Sequence, residues 1–488
     1  MTDTDRVEKA AAAAGQPDAA LDAEIAELER QVAERLELER RLAERADAER
    51  RLAEKRAAKE RLTPARPVAP PRRDGSFVCT YQQERAWLAA GVHHLPLALR
   101  LHGELVVPAL ARASHALVVR HEALRTCFVE RDGRLRQVID PPPAIWPLPV
   151  PDLPAGQVGA WAAEEIRRPM DLATGPPLRT ALARVAPDEH VLLLVVHEIV
   201  ADEWSVHILA NELSHLYAAA TSGIPPKLPD LPSQPAEHAA WQRDWLAGPE
   251  PERQLDYWRR QLAELPTVDL PADRPRPARP TGAGATLRRR LPDDLAAAAR
   301  ACAAANRVSL LALAQAALLT VLHRYTGQRD LPVGSVFSGR GRAEVDPLVG
   351  SFVNPVVLRT SLDGEPGFAE LARRCHDTVR QATAHQEIPF GRVLEAVRPG
   401  GPPFRISLSL LPVNGGGGRT ALGDLAAEPV DAGTGHSGCD IAIDLDDLTE
   451  GELHLSVRYA AELFDANRIE RLVDHLTAAL TGGLTGWR

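Results

Sequence analysis

The chain has 488 residues, 45% of them hydrophobic and 25% charged, and a formal net charge of −9 at pH 7. This length allows about three average domains with sizeable hydrophobic cores. The negative charge argues against a nucleic-acid partner held mainly through phosphate contacts.

The cysteines and the N-terminus indicate the cellular compartment. Five cysteines are scattered along the chain without a CxxC pair, so neither a disulfide framework nor a zinc site is indicated. The first residues are polar and acidic, unlike a signal peptide. The longest apolar segment, LLALAQAALLTVL, is too short to span a bilayer. We therefore expect a cytoplasmic protein with no metal site and no membrane partner.

Residues 1–74 differ in composition from the rest of the chain. The segment 21–62 contains no glycine or proline and is dominated by glutamate and arginine, which predicts a long charged helix. A short apolar seam (Leu21, Ile25, Leu28, Val32) follows the spacing of a coiled coil and then falters. The helix is therefore predicted either to bind a partner or a second copy, or to stand alone in solvent. The proline-rich segment Thr63–Arg73 is typical of a stiff linker.

From residue 75 onward the pattern is that of an α/β protein in two halves, which we place at 75–245 and 246–488. In the first half, VLLLVV predicts a strand covered on both faces, and SVHILANELSHLYAAATSG predicts a helix that ends at Gly223. Prolines are frequent between about residues 224 and 280, where we expect a boundary or a long crossing loop. The second half is predicted to contain a helix over 309–325 and five strand-like runs.

The stretch VVHEIVADEWS, residues 195–205, ends the predicted strand with a histidine and three carboxylates. The pair HE suggests a zinc protease, but the HExxH motif needs a second histidine where this chain has Ala201, so that function is excluded. If the turn brings Glu198, Asp202 and Glu203 together, their repulsion raises at least one pKa unless a cation intervenes.

A cation near this turn is therefore predicted, and the segment RHEALRT offers Arg120 and Arg125. The alternative is an exposed acidic turn in which Asp202 and Glu203 merely favour the N-terminus of the following helix.

Other segments form an ordered series with this stretch. TYQQERAW (80–87), RHEALRTCF (120–128), HEIVADEWS (197–205), VGSVFSGR (333–340), VGSFVNPVVLR (349–359) and YAAELFD (459–465) follow one another along the chain. In this order they resemble the motifs of the condensation domains of nonribosomal peptide synthetases, over roughly residues 76–484. HEIVADEWS stands where that family has HHxxxDGWS.

The resemblance implies a chloramphenicol-acetyltransferase-like α/β fold. In that fold two subdomains form a V-shaped pseudo-dimer with the active site in a tunnel between them. The family joins a thioester-bound acyl donor to an acceptor amine. Phosphopantetheine arms of two carrier proteins bring the substrates from opposite faces, and no cofactor is bound by the domain itself.

The resemblance also assigns site residues. The family's second histidine, which acts on the amine as a base or by positioning it, falls on Glu198, while His197 and Asp202 match the first histidine and the structural aspartate. The aspartate of the family pairs with an arginine, here expected to be Arg120 or Arg125. Trp204, Ser205 and Asn354 are expected as structural residues of the site. Glu203 replaces a glycine and could narrow the tunnel.

Three hypotheses follow from the change of histidine to Glu198. The glutamate is a base whose pKa is raised by burial and by neighbouring carboxylates. Alternatively, the domain condenses by holding donor and acceptor in line, without a base. In the third hypothesis chemistry is lost and the fold is a docking platform, as in the oxygenase-recruiting X domains of glycopeptide assembly lines. The sequence contains no adenylation, carrier or thioesterase motif, so we expect the domain to meet carrier proteins in trans.

Overall fold

The computed structural model describes residues 75–486, except for 90–92, 279–280, 398–401, 413–420, 431–436 and 448–450. The charged helix predicted over 21–62, together with the rest of residues 1–74, lies outside the described residues. The described part of the chain is a mixed α/β structure built on two large sheets and one small one.

The secondary structure alternates helices and strands along the chain. The strands are β1 Ser76–Val78, β2 His94–His102, β3 Thr126–Arg131, β4 Arg134–Ile139, β5 Leu178–Ala186, β6 Glu189–His197, β7 Gly284–Arg290, β8 Asp330–Phe337, β9 Asn354–Ser361, β10 Ile406–Pro412, β11 Ala421–Leu422, β12 Leu425–Pro429, β13 Ile441–Asp447 and β14 Leu453–Ala460. The helices are α1 Tyr81–Leu88, α2 Val107–Arg120, α3 Val158–Arg167, α4 Glu203–Ser222, α5 Pro235–Leu246, α6 Glu250–Gln261, α7 Asp293–Asn306, α8 Leu310–Thr326, α9 Phe368–Ala384, α10 Phe390–Val397 and α11 Ala466–Thr485.

The first large sheet has the strand order β11-β12-β2-β6-β5, and all of its neighbouring pairs are antiparallel. Strand β6, which lies between β2 and β5, was predicted from VLLLVV to be covered on both faces, and this is confirmed. Leu192 and Leu194 pack into the larger core with α2 and α4, whereas Leu193 and Val195 pack against α3. The apolar run therefore reflects burial by helices on both sides of an antiparallel sheet.

The second large sheet has the order β7-β14-β13-β10-β8-β9 and is mixed, because β10 runs parallel to both β13 and β8. The long apolar helix α8 packs against it with its leucines and alanines almost wholly buried. The helix begins where the Ser309 hydroxyl accepts a hydrogen bond from the Ala312 amide. The helix and the five strands predicted for this half are all present in the structure, so these predictions are confirmed.

The two halves share one sheet. β12 belongs to the second half of the sequence but pairs with β2 of the first half, from Ala426 opposite His102 to Pro429 opposite Leu99. The sheet order alone thus ties residues after 420 to residues before 200.

The proline-rich stretch contains two helices, although its composition predicts a boundary or a long loop. Pro235 and Pro251 occupy the first turn of α5 and α6, respectively. Proline lacks an amide hydrogen, and the amides of the first helical turn have no acceptor within the helix. Proline is therefore tolerated at the start of a helix, where it does not break a hydrogen bond. The positions of these prolines in the sequence indicate where the helices begin, whereas their number suggested a loop.

No single helix among the described residues is long and apolar enough to cross a bilayer. Helices α7 and α8 reach that length and hydropathy only as a pair, and they meet at an angle of 110°.

Candidate active site

The predicted site turn begins where β6 ends. β6 stops at His197, which lies opposite His94 of β2 in the antiparallel register. The amide of Glu198 then donates to the carbonyl of His93 at 2.9 Å, so the pairing continues one residue beyond the strand. Ile199 and Val200 follow and are fully buried. The turn is therefore held by backbone pairing on one side and by apolar packing on the other.

His197 is a buried framework residue. Its Nδ1 accepts a hydrogen bond from the Ile199 amide at 3.1 Å, and its ring meets that of His94 edge to face at 5.5 Å. Burial, with a smaller effect from His94, lowers the pKa of His197 to about 4. The ring is consequently neutral near pH 7 and shapes the turn, a role that agrees with its match to the family's first histidine.

Asp202 starts helix α4 and is buried, with 2% of its surface exposed. Its Oδ1 accepts hydrogen bonds from the Ser205 amide at 2.8 Å and the Ser205 hydroxyl at 2.7 Å. Its Oδ2 accepts from the amide of Phe352 at 3.2 Å. A buried carboxylate needs this many donors because burial removes its water. The alternative of an exposed acidic turn is therefore wrong.

The cation that pairs with Asp202 is Arg340, which the sequence did not indicate as its partner. Arg340 Nη2 lies 3.0 Å from Asp202 Oδ1 and 3.0 Å from Ser205 Oγ. The other terminal nitrogen of Arg340 donates to the carbonyls of Val345 and Leu348 at 2.7 and 2.9 Å. The pair joins the start of α4 in the first half to the loop after β8 in the second.

The predicted partners Arg120 and Arg125 are wrong. Arg120, at the end of α2, pairs with the buried Glu212 of α4 at 3.0 Å. Arg125 lies 3.4 Å from Glu122, three residues earlier in a short 3₁₀ turn. Each arginine is thus engaged with a glutamate other than the carboxylates of the site turn, Arg120 with Glu212 and Arg125 with Glu122.

The three carboxylates of the turn point to different partners. Glu198 Oε1 lies 3.3 Å from Nδ1 of His93, and about a third of its side chain, 32%, is exposed. Glu203 Oε1 lies 3.7 Å from Arg458 Nη1 on β14. Together with buried Asp202, this arrangement separates the charges, so mutual repulsion does not govern the site.

The electrostatics of Glu198 follow from this arrangement. Desolvation is the largest single effect and pushes its pKa up. The hydrogen bond with His93 and the electrostatic effects of His93, Arg85 and His197 outweigh it, so the pKa of Glu198 is lowered overall. The raised pKa that the base hypothesis required is therefore wrong, and Glu198 is an ionised carboxylate near pH 7.

The remaining predicted site residues divide between two places. Ser205 belongs to the Asp202 cluster, and Trp204 lies beside it, donating through Nε1 to the carbonyl of Asp346 at 3.2 Å. Asn354, at the start of β9, donates to the carbonyls of Gln386 and Ile388 at 2.9 and 2.8 Å. Asn354 thus anchors the loop before α10, and its role is to hold that loop against β9.

A second polar cluster faces Glu203 from the other half of the chain. Arg458 Nη2 donates to Asp444 Oδ2 at 2.9 Å. Asp446 lies two residues further along β13, on the same face of the strand. Burial raises the pKa of both Asp444 and Asp446 to about 6. These carboxylates are costly to ionise in the folded protein.

This cost predicts a stabilising substitution. The folded pKa of Asp446 lies above its unfolded value of 3.8, so its contribution to stability is present at low pH and is lost as the pH rises through about 6. We expect Asp446→Asn to raise the melting temperature by about 1–3 °C at pH 8 and to change it little at pH 4. Melting curves at both pH values, with the exposed Asp474→Asn as control, measure the effect. Equal shifts at both pH values contradict the prediction.

Among the described residues, no group of three or more His, Cys, Asp or Glu side chains could hold a metal ion.

Two residues of the site could not be assigned to it from the sequence. Arg340 ends the motif VGSVFSGR. The sequence feature that could have indicated it is its position directly after a predicted strand and a glycine. His93 directly precedes β2, which begins at His94, and only the strand register shows that it lies opposite Glu198.

Comparison with known proteins supplies the family context. The family model described as Condensation domain matches residues 77–485. The chain is 37% identical over 426 residues to the phosphinothricin tripeptide synthetase PhsB of Streptomyces viridochromogenes, covering 83% of this chain and 36% of that protein. It is also 35% identical over 417 residues to the chondramide synthase cmdD of Chondromyces crocatus, covering 82% of this chain and 10% of that protein. The chain thus spans a minor part of these relatives.

Solved structures show the same fold. The X-domain from teicoplanin biosynthesis superposes with a TM-score of 0.77 at 29% sequence identity, covering 86% of this chain and 97% of that chain. The first condensation domain of the calcium-dependent antibiotic synthetase superposes with a TM-score of 0.71 at 21% identity, covering 83% of this chain and 95% of that chain. The expected condensation-type α/β fold is confirmed by these neighbours.

Proposed function

The chain belongs to the condensation-domain family of nonribosomal peptide synthetases, and from this premise we propose that it joins a carrier-bound acyl thioester to an acceptor amine. The phosphopantetheine arms of carrier proteins bring both substrates, and the domain binds no cofactor of its own. The chemistry takes place beside the turn Glu198–Asp202, between the two halves of the chain.

One observation carries this proposal. The turn is held by hydrogen bonds on its buried side, and it presents a partly exposed polar pair, Glu198 and His93. Asp202 and Arg340 lock the start of α4 through buried hydrogen bonds. Glu198 stands four residues earlier, one third exposed and paired with His93. A fixed scaffold with an accessible charged group suits the orientation of a substrate amine.

An ionised Glu198 acts by positioning the substrate amine. A carboxylate of lowered pKa is too weak to remove a proton from an amine efficiently. It can hold the neutral amine by accepting a hydrogen bond from its N–H. Holding the amine in line with the thioester carbonyl supplies much of the rate in such reactions. The positioning hypothesis is thus favoured over the carboxylate-base hypothesis.

A second candidate function is a docking platform for another enzyme. It is favoured by the similarity to the teicoplanin X-domain, which forms a complex with OxyB. In that case the site turn stabilises the fold only, and no product forms.

A product assay separates these functions. One carrier protein is loaded with a labelled acyl group and a second with an amino acid, and the labelled amide is measured with the wild-type chain and with Glu198→Gln. We expect wild-type product, and a rate for Glu198→Gln within about tenfold of it, because a general base is worth about 10²–10⁴ and glutamine keeps the hydrogen-bonding shape.

Glu189→Gln is the matched control, since Glu189 lies at the other end of β6 and pairs with Arg100. A loss of about 10²–10⁴ in Glu198→Gln alone shows that the rate needs the charge of this carboxylate and contradicts positioning by hydrogen bonding alone. Absence of product with the wild-type chain, while carrier or enzyme partners still bind, supports the platform instead.

A further inference from the structure

We propose that His93 is the proton-accepting residue of this site and that Glu198 orients its ring. The inference rests on the proposed function and assigns its proton transfer to a side chain outside the HEIVADEWS motif. The missing second histidine of the motif is thus replaced by a histidine that directly precedes the neighbouring strand β2.

The strand register places the two side chains together. His94 lies opposite His197, and the amide of Glu198 donates to the His93 carbonyl at 2.9 Å, so His93 lies opposite Glu198. Residues directly opposite in an antiparallel pair project from the same face. His93 Nδ1 therefore reaches Glu198 Oε1 at 3.3 Å, with 16% of the His93 side chain and 32% of the Glu198 side chain exposed.

The other imidazoles near the turn are engaged or disfavoured as bases. His197 and His94 project from the opposite face, toward α3. His94 donates from Nδ1 to the carbonyl of Ile166 at 2.6 Å, and burial lowers its pKa. His197, with its pKa of about 4, is too weak a base near pH 7. His207, one turn into α4, has its pKa lowered by desolvation.

The contact with Glu198 selects the useful tautomer. With Nδ1–H donating to the ionised carboxylate, the lone pair of the neutral ring lies on Nε2. A carboxylate on Nδ1 orients the ring and stabilises the imidazolium that forms when Nε2 takes a proton. The base thus comes from the residue before β2, and its orienting partner comes from the residue after β6.

The proton balance is complete with these groups. The amine nitrogen attacks the thioester carbonyl carbon, the C–N bond forms, and an N–H proton passes to Nε2 of His93. The tetrahedral intermediate collapses, the C–S bond breaks, and the departing thiolate sulfur takes the proton back from Nε2. The products are an amide and a free thiol, and no further reactant is needed.

The charges around His93 determine the expected pH dependence. The titratable groups around His93 include Glu198, His94 and His197, and Arg85 of α1 acts electrostatically on Glu198. The base must be neutral to accept a proton, so the rate rises with pH to a plateau. Because Glu198 stabilises the imidazolium, Glu198→Gln should move the midpoint of this rise to lower pH.

The test measures amide formation between two loaded carrier proteins as a function of pH. We expect His93→Gln to lower kcat by about 10²–10⁴ with little change in KM. Added imidazole should partly restore the rate of His93→Ala. His102→Gln is the matched control, because His102 ends β2, the strand that follows His93, and lies 3.9 Å from Glu428. It should react like the wild-type chain.

The outcomes distinguish this inference from the proposed function. If the wild-type chain forms product and His93→Gln forms it equally fast, the inference is overturned and the proposed function stands. If the wild-type chain forms none, the proposed function fails and the inference fails with it. If His93→Gln melts well below the wild-type chain, the Glu198→Gln pH profile decides, and an unmoved midpoint overturns the inference.

Discussion

Replacing Asp202 with alanine is expected to lower the free energy of unfolding by about 3–5 kcal/mol. The substitution leaves the guanidinium of Arg340 buried without its carboxylate, and it also removes the acceptor of the Ser205 and Phe352 amides. An uncompensated buried charge is among the most costly defects that one substitution can create. Denaturant unfolding of the purified variant, with the wild-type chain measured in parallel, gives the value directly.

An exposed ion pair provides the control. Asp152 lies 3.3 Å from Arg184 with most of its side chain in solvent, so Asp152→Ala should cost less than about 1 kcal/mol. The double variant Asp202→Asn with Arg340→Met should be more stable than Asp202→Asn alone, since the stranded charge is gone. Unfolding of Asp202→Ala at the same denaturant concentration as the wild-type chain would show that the pair contributes nothing.

The second large effect is expected at Gly339, next to Arg340. This glycine has a φ of 63°, and an added Cβ would lie 2.0 Å from the carbonyl oxygen of Phe352. The energetic costs of the left-handed conformation and of the collision with backbone atoms add. Gly339→Ala should therefore lower the free energy of unfolding by about 2–5 kcal/mol. The backbone shift needed to relieve the collision also moves Arg340 away from Asp202.

Gly364→Ala isolates the collision from the backbone conformation. Gly364 has a φ of 80°, but an added Cβ there meets no atom within 4 Å. Its substitution should therefore cost only the conformational part, about 1–2 kcal/mol. Thermal melting of both variants measures the difference, and equal losses would exclude a steric role for the Phe352 carbonyl.

The position of the turn at residues 198–202 could be predicted from the sequence, but its long-range partners could not. An apolar run followed by His197 and an acidic segment indicates a strand end and a helix start, and both are present. The need of Asp202 for a cation followed from general electrostatics. The identity of that cation depended on contacts between residues 138 apart in sequence, which no local pattern encodes.

The charge state of Glu198 illustrates the same limit. Three carboxylates within six residues suggested mutual repulsion, because the sequence shows proximity along the chain but not direction in space. The turn sends Glu198 toward His93, Asp202 into the core and Glu203 toward Arg458. Whether such charges repel is therefore decided by tertiary packing.

The strand exchange between the halves has a consequence for protein engineering by recombination. A chimera that joins residues up to the end of α5 to the later part of a relative would replace β11 and β12, two of the five strands of the first sheet. Their neighbour β2 would then face foreign side chains along its whole pairing edge, from Leu99 to His102. Crossover points that keep β2, β11 and β12 from one parent should yield more folded hybrids than cuts between the halves.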